Sequence, residues 1–272
     1  MLLIQGDARN IQLVDNCIDL AIADPPYNLS RKVPTKTTLF NYQTLSESWD
    51  FYTVEDYREF TQAWLKEAYR LLRPGGSLFV TLSYHSLLQA GQAVLEAGFN
   101  VVNYITWEKS SAAPSITRRQ LTSTCEIILW LSKGPKWTFN YEHAKSYNNG
   151  KQLRDMWRLA PPGKSEKAAG KYPAQKPLTL IKRIIEIASN KDDLILDLFS
   201  GSGTTSVAAW QTGRQCIAVE MSTEGMAHIE RRLKGLNILY ELLCDSVEAT
   251  TGIGEQKQTE SETRMYEPTA SL

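Results

Sequence analysis

Apolar and polar residues alternate along this chain with two periods. Residues 18–23 form a short apolar run ending in a proline-rich turn, the pattern of a buried parallel strand. From Thr53 the apolar positions Val54, Tyr57, Phe60, Trp64, Leu65, Ala68, Leu71 and Leu72 recur at helical spacing, and Pro74-Gly75-Gly76 ends that pattern. Further strands are predicted over 77–82, 101–107, 126–131, 194–198 and 215–219, with a short one at the N-terminus. Further helices are predicted over 86–97, 177–189 (with Pro177 in the first turn), 204–211 and from the Ser222 cap to about 236. Strands and helices alternating at these lengths predict an α/β fold built on a parallel sheet covered on both faces.

Three stretches break the alternation. Residues 40–50 are polar and aromatic. Residues 134–172 are rich in Lys, Arg, Asn, Gly and Pro, with Trp137, Phe139, Tyr141, Tyr147 and Trp157 interspersed. Loops this long inside a domain are functional or disordered. The tail from about residue 250 is polar and is expected to be disordered.

Composition sharpens the picture. The 272 residues, 42% hydrophobic and 22% charged, suit one large α/β domain or a domain with an inserted lobe. No apolar run approaches the roughly 18 residues of a membrane span, and the N-terminus lacks a signal-peptide pattern, so a cytoplasmic protein is expected. Cys17, Cys125, Cys216 and Cys244 are far apart, as are the three histidines, which argues against a zinc site or a disulfide framework; no metal is expected. Net charge is zero, yet residues 109–183 hold 15 Lys/Arg against 4 Asp/Glu, leaving the rest of the chain at −11. A basic region on an otherwise acidic chain suits a polyanionic partner, although charge asymmetry alone also describes a solvated surface.

Two motifs carry candidate chemistry. Asp24-Pro25-Pro26-Tyr27 follows a strand directly, where α/β sheets bind ligands. An exocyclic amino nitrogen on a base is a poor nucleophile because its lone pair is conjugated with the ring. A carboxylate (Asp24) and a backbone carbonyl (Pro25) can hold both N–H bonds and turn that lone pair out of plane. The prolines stiffen the turn, and Tyr27 offers a face for a flipped base. Alone, the tetrad also fits an ordinary proline turn; the strand before it and the aromatic after it favour a site.

The second motif is the loop Asp197-Leu198-Phe199-Ser200-Gly201-Ser202-Gly203-Thr204-Thr205, between a predicted strand and helix. It lacks the third glycine of a dinucleotide fingerprint and the Gly-Lys-Ser/Thr ending of a P-loop. Its glycines allow close approach of a ligand, and the helix N-terminus favours an anion, so a cofactor with a carboxylate and no phosphate fits. One strand later, Glu220 is placed to accept hydrogen bonds from ribose hydroxyls; alone it would pass for a helix-start acid.

Together these residues resemble the DNA amino-methyltransferases. The tetrad precedes the glycine loop, which resembles the permuted β-class of that family. The resemblance runs from about residue 2 to 236. It includes Gly6-Asp7, Leu72-Arg73-Pro74-Gly75-Gly76-Ser77, Ile105-Thr106-Trp107-Glu108-Lys109 and Gln175-Lys176-Pro177. It implies a circularly permuted, Rossmann-like methyltransferase fold with an inserted DNA-recognition lobe. The catalytic half would span 1–132, the target-recognition insert 133–173, the cofactor half 174–249 and a tail 250–272.

By resemblance the cofactor is S-adenosylmethionine and the partner is DNA. Asp7 would lie near the adenosine, Phe199 against the adenine, and Lys176 at the methionine end, though an exposed helix-start lysine fits that position equally. Arg118, Arg119, Lys151 and Arg154 are the candidate DNA contacts in the basic region. N6 of adenine is the expected target, because an acid opens the tetrad more often in the adenine enzymes. N4 of cytosine is the alternative, followed by an RNA or amide methyltransferase and an inactive DNA-binding protein. A homodimer and a restriction–modification setting also follow from the resemblance.

Overall fold

The computed structural model describes residues 1–28, 52–112, 118–119, 121–244 and 262–266. Residues 40–50, singled out above as a candidate functional loop, lie outside them. The elements in chain order are β1 (Leu2–Gln5), β2 (Ile18–Ala23), α1 (Val54–Leu71), β3 (Leu72–Leu82), α2 (Tyr84–Glu96), β4 (Asn100–Lys109) and β5 (Cys125–Ser132). They continue with α3 (Tyr141–Ser146), β6 (Met156–Leu159), α4 (Leu178–Ala188), β7 (Leu194–Asp197) and α5 (Thr204–Gln211). The last are β8 (Gln215–Glu220), α6 (Thr223–Gly235), β9 (Tyr240–Cys244) and β10 (Glu262–Tyr266).

The strands form one sheet in the order β10-β9-β1-β8-β7-β2-β3-β5-β4-β6. The stretch from β9 to β3 is parallel throughout. The side chains of β2 divide between the faces: Ala21 and Ala23 pack in the cluster holding α1, Leu20 and Ile22 in the cluster holding α4 and α5. This two-sided burial explains the continuous apolar run of 18–23. Thr53 caps α1 and Ser222 caps α6 by accepting backbone N–H bonds from Asp56 and Gly225.

Several expectations need correction. The sheet is mixed, not parallel: β5 runs antiparallel to both β3 and β4. The described residues between β4 and β5 contain no crossover helix, and a strand returning without one pairs antiparallel. Pro74-Gly75-Gly76 is not the helix stop but part of β3, with a register shift against β2. A Cβ on Gly76 would come within 3.0–3.1 Å of Arg73 O, Leu72 and Asp19 O, so the close strand approach needs glycine there. Pro177 is the N-cap of α4 rather than a residue of its first turn.

Residues 134–172 are not structureless. They hold α3, β6 and a 3-10 turn at Ser165–Lys167, elements of six residues or fewer and too short to declare a period. Trp157 is 2% exposed and packs with Ala144, Leu180 and Ile184. The Arg183 guanidinium stacks over Tyr147 and Trp157. Two of the aromatics interspersed in this stretch, Trp157 and Tyr147, thus pack in or against the core. Part of the tail expected to be disordered is also ordered: β10 pairs antiparallel with β9 and covers an edge that would otherwise expose unpaired backbone groups. No helix among the described residues is long and apolar enough to cross a membrane.

Candidate active site

The sheet makes neighbours of two motifs far apart in sequence. β2 pairs with β7 so that Ile22 stands opposite Asp197, and Leu198 N donates to Ile22 O at 3.0 Å. The helix after β2 lies on one face and the helix after β7 on the other, so their carboxyl ends open a crevice. A cleft of about 260 Å³ fills that crevice. It is lined by the whole tetrad Asp24–Tyr27, by Asp7, Lys176, Asp197, Phe199–Ser202, Thr204, Thr205 and Glu220. Gly203, the remaining member of the expected set, is the left-handed N-cap of α5.

The glycine loop is held from both sides. Gly201 (φ +45°) and Gly203 (φ +71°) occupy the left-handed region. A Cβ on Gly201 would stand 2.9 Å from the Tyr172 ring. Glu220 clamps the loop: its Oε2 accepts from Gly201 N at 2.8 Å and its Oε1 from Ser222 N at 2.9 Å. Burial raises the Glu220 carboxyl pKa, opposed by those N–H donors. Thr204 Oγ1 donates to Lys176 O and accepts from Arg232 Nη1, tying the start of α5 to the approach of α4. Asp197 is 4% exposed, and burial pushes its carboxyl up to about 7. Asp7 is paired with Arg9, while Phe199 packs edge-on against Trp64.

At the other end of the cleft, Tyr57 in α1 donates to Pro26 O at 2.9 Å and anchors the tetrad turn. Asp24 Oδ1 accepts from the Tyr27 hydroxyl at 2.8 Å and from Thr81 Oγ1 in β3. Asp24 Oδ2 accepts from Lys176 Nζ at 2.6 Å. Lys176 is 6% exposed, so it is not the exposed helix-start lysine that its sequence position also allowed. Burial alone would lower its pKa, but Asp24 and Glu126 raise it, so the ammonium persists.

Sequence reasoning missed Glu126. It is the second residue of β5, stands 3.4 Å from Lys176 Nζ and 2.6 Å from Lys109 Nζ, and accepts from the Tyr27 hydroxyl at 3.2 Å. Burial would lift its carboxyl, yet Lys176 and Lys109 hold it below the ordinary value. Half-buried Tyr27, its hydroxyl set between Asp24 and Glu126, has its pKa raised well above the usual phenol and stays a donor. The signal for Glu126 was a lone acid heading the apolar run Ile127-Ile128-Leu129-Trp130-Leu131. Thr81 carried no signal.

The four candidate DNA-contact residues are all exposed and do not gather at one place. Arg118 and Arg119 lie in the β4–β5 connection, at the end of the sheet where β2 and β3 present Asp24 and Thr81. Lys151 and Arg154 precede β6, the edge strand that pairs with β4 from Met156 opposite Thr106, and so lie to the side of the sheet away from β2.

Such a site, a glycine loop and a carboxylate turn sharing one crevice of a Rossmann-like sheet, defines a group-transfer enzyme of the methyltransferase class. A family model described as DNA methylase matches residues 18–231. The chain is 39% identical to the type II methyltransferase M2.MboI of Moraxella bovis over 221 residues, 80% of this chain and 81% of that protein. It is 35% identical to M2.DpnII of Streptococcus pneumoniae over 243 residues, 87% of this chain and 91% of that protein. Among solved structures, the M1.HpyAVI–SAM complex superposes with a TM-score of 0.64 at 26% identity, covering 85% of this chain and 98% of that one. The cytosine-N4-specific PvuII DNA methyltransferase superposes with a TM-score of 0.67 at 21% identity over 85% of each chain, a likeness of fold. The chain belongs to the DNA methylase family, as an S-adenosylmethionine-dependent DNA amino-methyltransferase.

Proposed function

We propose that this enzyme methylates N6 of adenine in DNA, with Asp24 and the Pro25 carbonyl as the acceptors of the amino N–H groups. The observation that carries this reading is the carboxylate of Asp24 at the carboxyl end of β2, in one cleft with the glycine loop and Glu220. S-adenosylmethionine, when bound, supplies a methyl group made electrophilic by its sulfonium. Residues of the cleft fit it. Gln175 lines the cleft, and its buried Oε1 has no hydrogen-bond partner among the described residues. Glu220 keeps acceptor capacity for ribose hydroxyls beyond its two backbone bonds. Gly201, Gly203 and the N-terminus of α5 suit the carboxylate end; Asp7 and Phe199 are assigned to the adenosine, with Ser200, Ser202, Thr204 and Thr205 completing the loop wall.

The target base leaves the duplex and enters beside Tyr27, whose ring offers it a stacking face. Asp24 and the Pro25 carbonyl then orient the amino nitrogen by fixing its hydrogens, which localises the lone pair toward the cofactor side of the cleft. Arg118 and Arg119 contact the DNA backbone at the active end of the sheet, and residues 133–173 supply further contacts through Lys151 and Arg154. Action on DNA argues for a cytoplasmic location. Sedimentation of the purified chain tests the homodimer implied by the resemblance.

Expression in a methylation-free host, followed by digestion of genomic DNA to nucleosides and mass spectrometry, tests the target atom. N6-methyladenine is expected. N4-methylcytosine in its place would retain the cleft chemistry and overturn the choice of base.

A further inference from the structure

In the structure, the acceptor that the base needs is already engaged. Asp24 Oδ1 accepts from Tyr27 and Thr81, and Asp24 Oδ2 accepts from Lys176. An incoming amino group must displace donors from Asp24, and displacing a buried ammonium into an apolar wall would be prohibitive.

Glu126 stands where those donors can go. The Tyr27 hydroxyl has one hydrogen and two acceptors within reach, Asp24 Oδ1 at 2.8 Å and Glu126 Oε2 at 3.2 Å. Lys176 Nζ, with three hydrogens, stands between the same two carboxylates, Asp24 Oδ2 at 2.6 Å and Glu126 Oε2 at 3.4 Å, with Ala174 O at 3.3 Å as its third acceptor. Both donors that engage Asp24 from this side are therefore shared with a single oxygen of a second carboxylate. The other oxygen of Glu126 is fixed by Lys109 at 2.6 Å, which holds the carboxylate in place while Oε2 takes on donors. Each donor needs only to close the longer of its two separations, and neither leaves a carboxylate unpaired.

We propose that Glu126 is a positioning residue: it receives the Lys176 ammonium and the Tyr27 hydroxyl when the target base's amino group takes their place on Asp24. This rests on the reading of Asp24 as the amino-group acceptor. Glu126 itself touches neither base nor cofactor; it sets the cost of clearing the acceptor. With an amide in its place, Lys176 would stay on Asp24 and compete with the base.

The test measures single-turnover methyl transfer from labelled S-adenosylmethionine to saturating genomic DNA of a methylation-free host, using the full chain. Glu126→Gln is expected to slow transfer about 100-fold, as loss of a buried charge partner implies, while the dissociation constant for S-adenosylmethionine stays within about twofold. Glu126→Asp, which keeps the charge but withdraws it by one methylene, is expected to recover part of that rate. It also serves as the test if Glu126→Gln does not fold. The decisive comparison is made in a Lys176→Met background, where there is no ammonium to receive. There Glu126→Gln should cost less than about fivefold. A rate near that of the unsubstituted enzyme for Glu126→Gln, or equal losses in both backgrounds, would overturn the proposal, the latter indicating a purely structural role. Asp24→Asn at full rate would instead overturn the reading on which it rests, whatever Glu126→Gln does.

Discussion

Asp24 and Lys176 are separated by 152 residues of chain and by 2.6 Å in space. One directly follows β2 at the head of the tetrad, and the other precedes the cap of α4. Their pairing fastens the approach to α4 onto the catalytic turn. A buried pair of this kind contributes little over an apolar substitute, but removing one member strands the other. The site is thus sensitive to single substitutions at either residue.

Asp24→Ala should reduce methyl transfer by at least about 10³-fold, since both orientation of the amino group and charge balance around Lys176 are lost. Calorimetric affinity for S-adenosylmethionine should change by less than about fivefold, because the glycine loop and Glu220 lie at the other end of the cleft. Measurable turnover near the original rate would refute the assigned role of Asp24.

Glu220→Ala should weaken cofactor binding about tenfold or more in titration calorimetry. Gly225→Ala should do the same by a different route. Its Cβ would come 2.7 Å from Glu220 Cδ, forcing the carboxylate away from Gly201 and Ser222. Alanine is the better helix former, by about 1 kcal/mol, so the helix backbone gives no reason for the loss. An unchanged cofactor affinity in both variants would remove Glu220 from the binding site.

Asp197 makes the ligand-free protein pH-sensitive. Its folded pKa, raised by burial to about 7 from an ordinary 3.8, means that the folded state keeps a proton which the unfolded chain has already released. The stability associated with the neutral form is full below about pH 4, is lost as pH rises through 7, and changes no further above that. Asp197→Asn, neutral throughout, should flatten this slope in urea denaturation followed from pH 4.5 to 8. An identical pH profile in the variant would assign the slope to other groups.

Arg118 and Trp157 separate two meanings of the basic, aromatic stretch. The pair Arg118→Ala and Arg119→Ala should leave the melting temperature unchanged and lower DNA affinity similarly across sequences. The slope of log affinity against log salt should fall by about one for each phosphate that is no longer neutralised. Trp157→Ala should instead cost about 3–5 kcal/mol of stability, because its side chain is buried against α4. A DNA-binding defect in Trp157→Ala without destabilisation would place that residue at the interface instead.

Both candidate motifs were legible because each is local. A strand, a turn with its special residues and a helix follow one another within a short stretch of chain, and the chemistry is written into that order. Glu126, Thr81 and the buried placement of Lys176 were not legible for the opposite reason. Each owes its role to a partner 57 to 152 residues away. The short elements α3 and β6 escaped because six or four residues do not establish a period, and the burial of Trp157 followed with them because its packing partners lie in α3 and α4.

By itself, then, the sequence determined most of the main helices and strands, the Ser222 cap, the two motifs and their permuted order, since periodicity and turn chemistry act over a few residues. The tertiary structure alone decided that β5 returns between β3 and β4, that β2 lies beside β7, and that Asp24, Tyr27, Glu126, Lys109 and Lys176 share one charge-balanced cluster. Strand order is set by how the whole sheet buries its two faces, and a buried ammonium is held only where that order brings carboxylates to it.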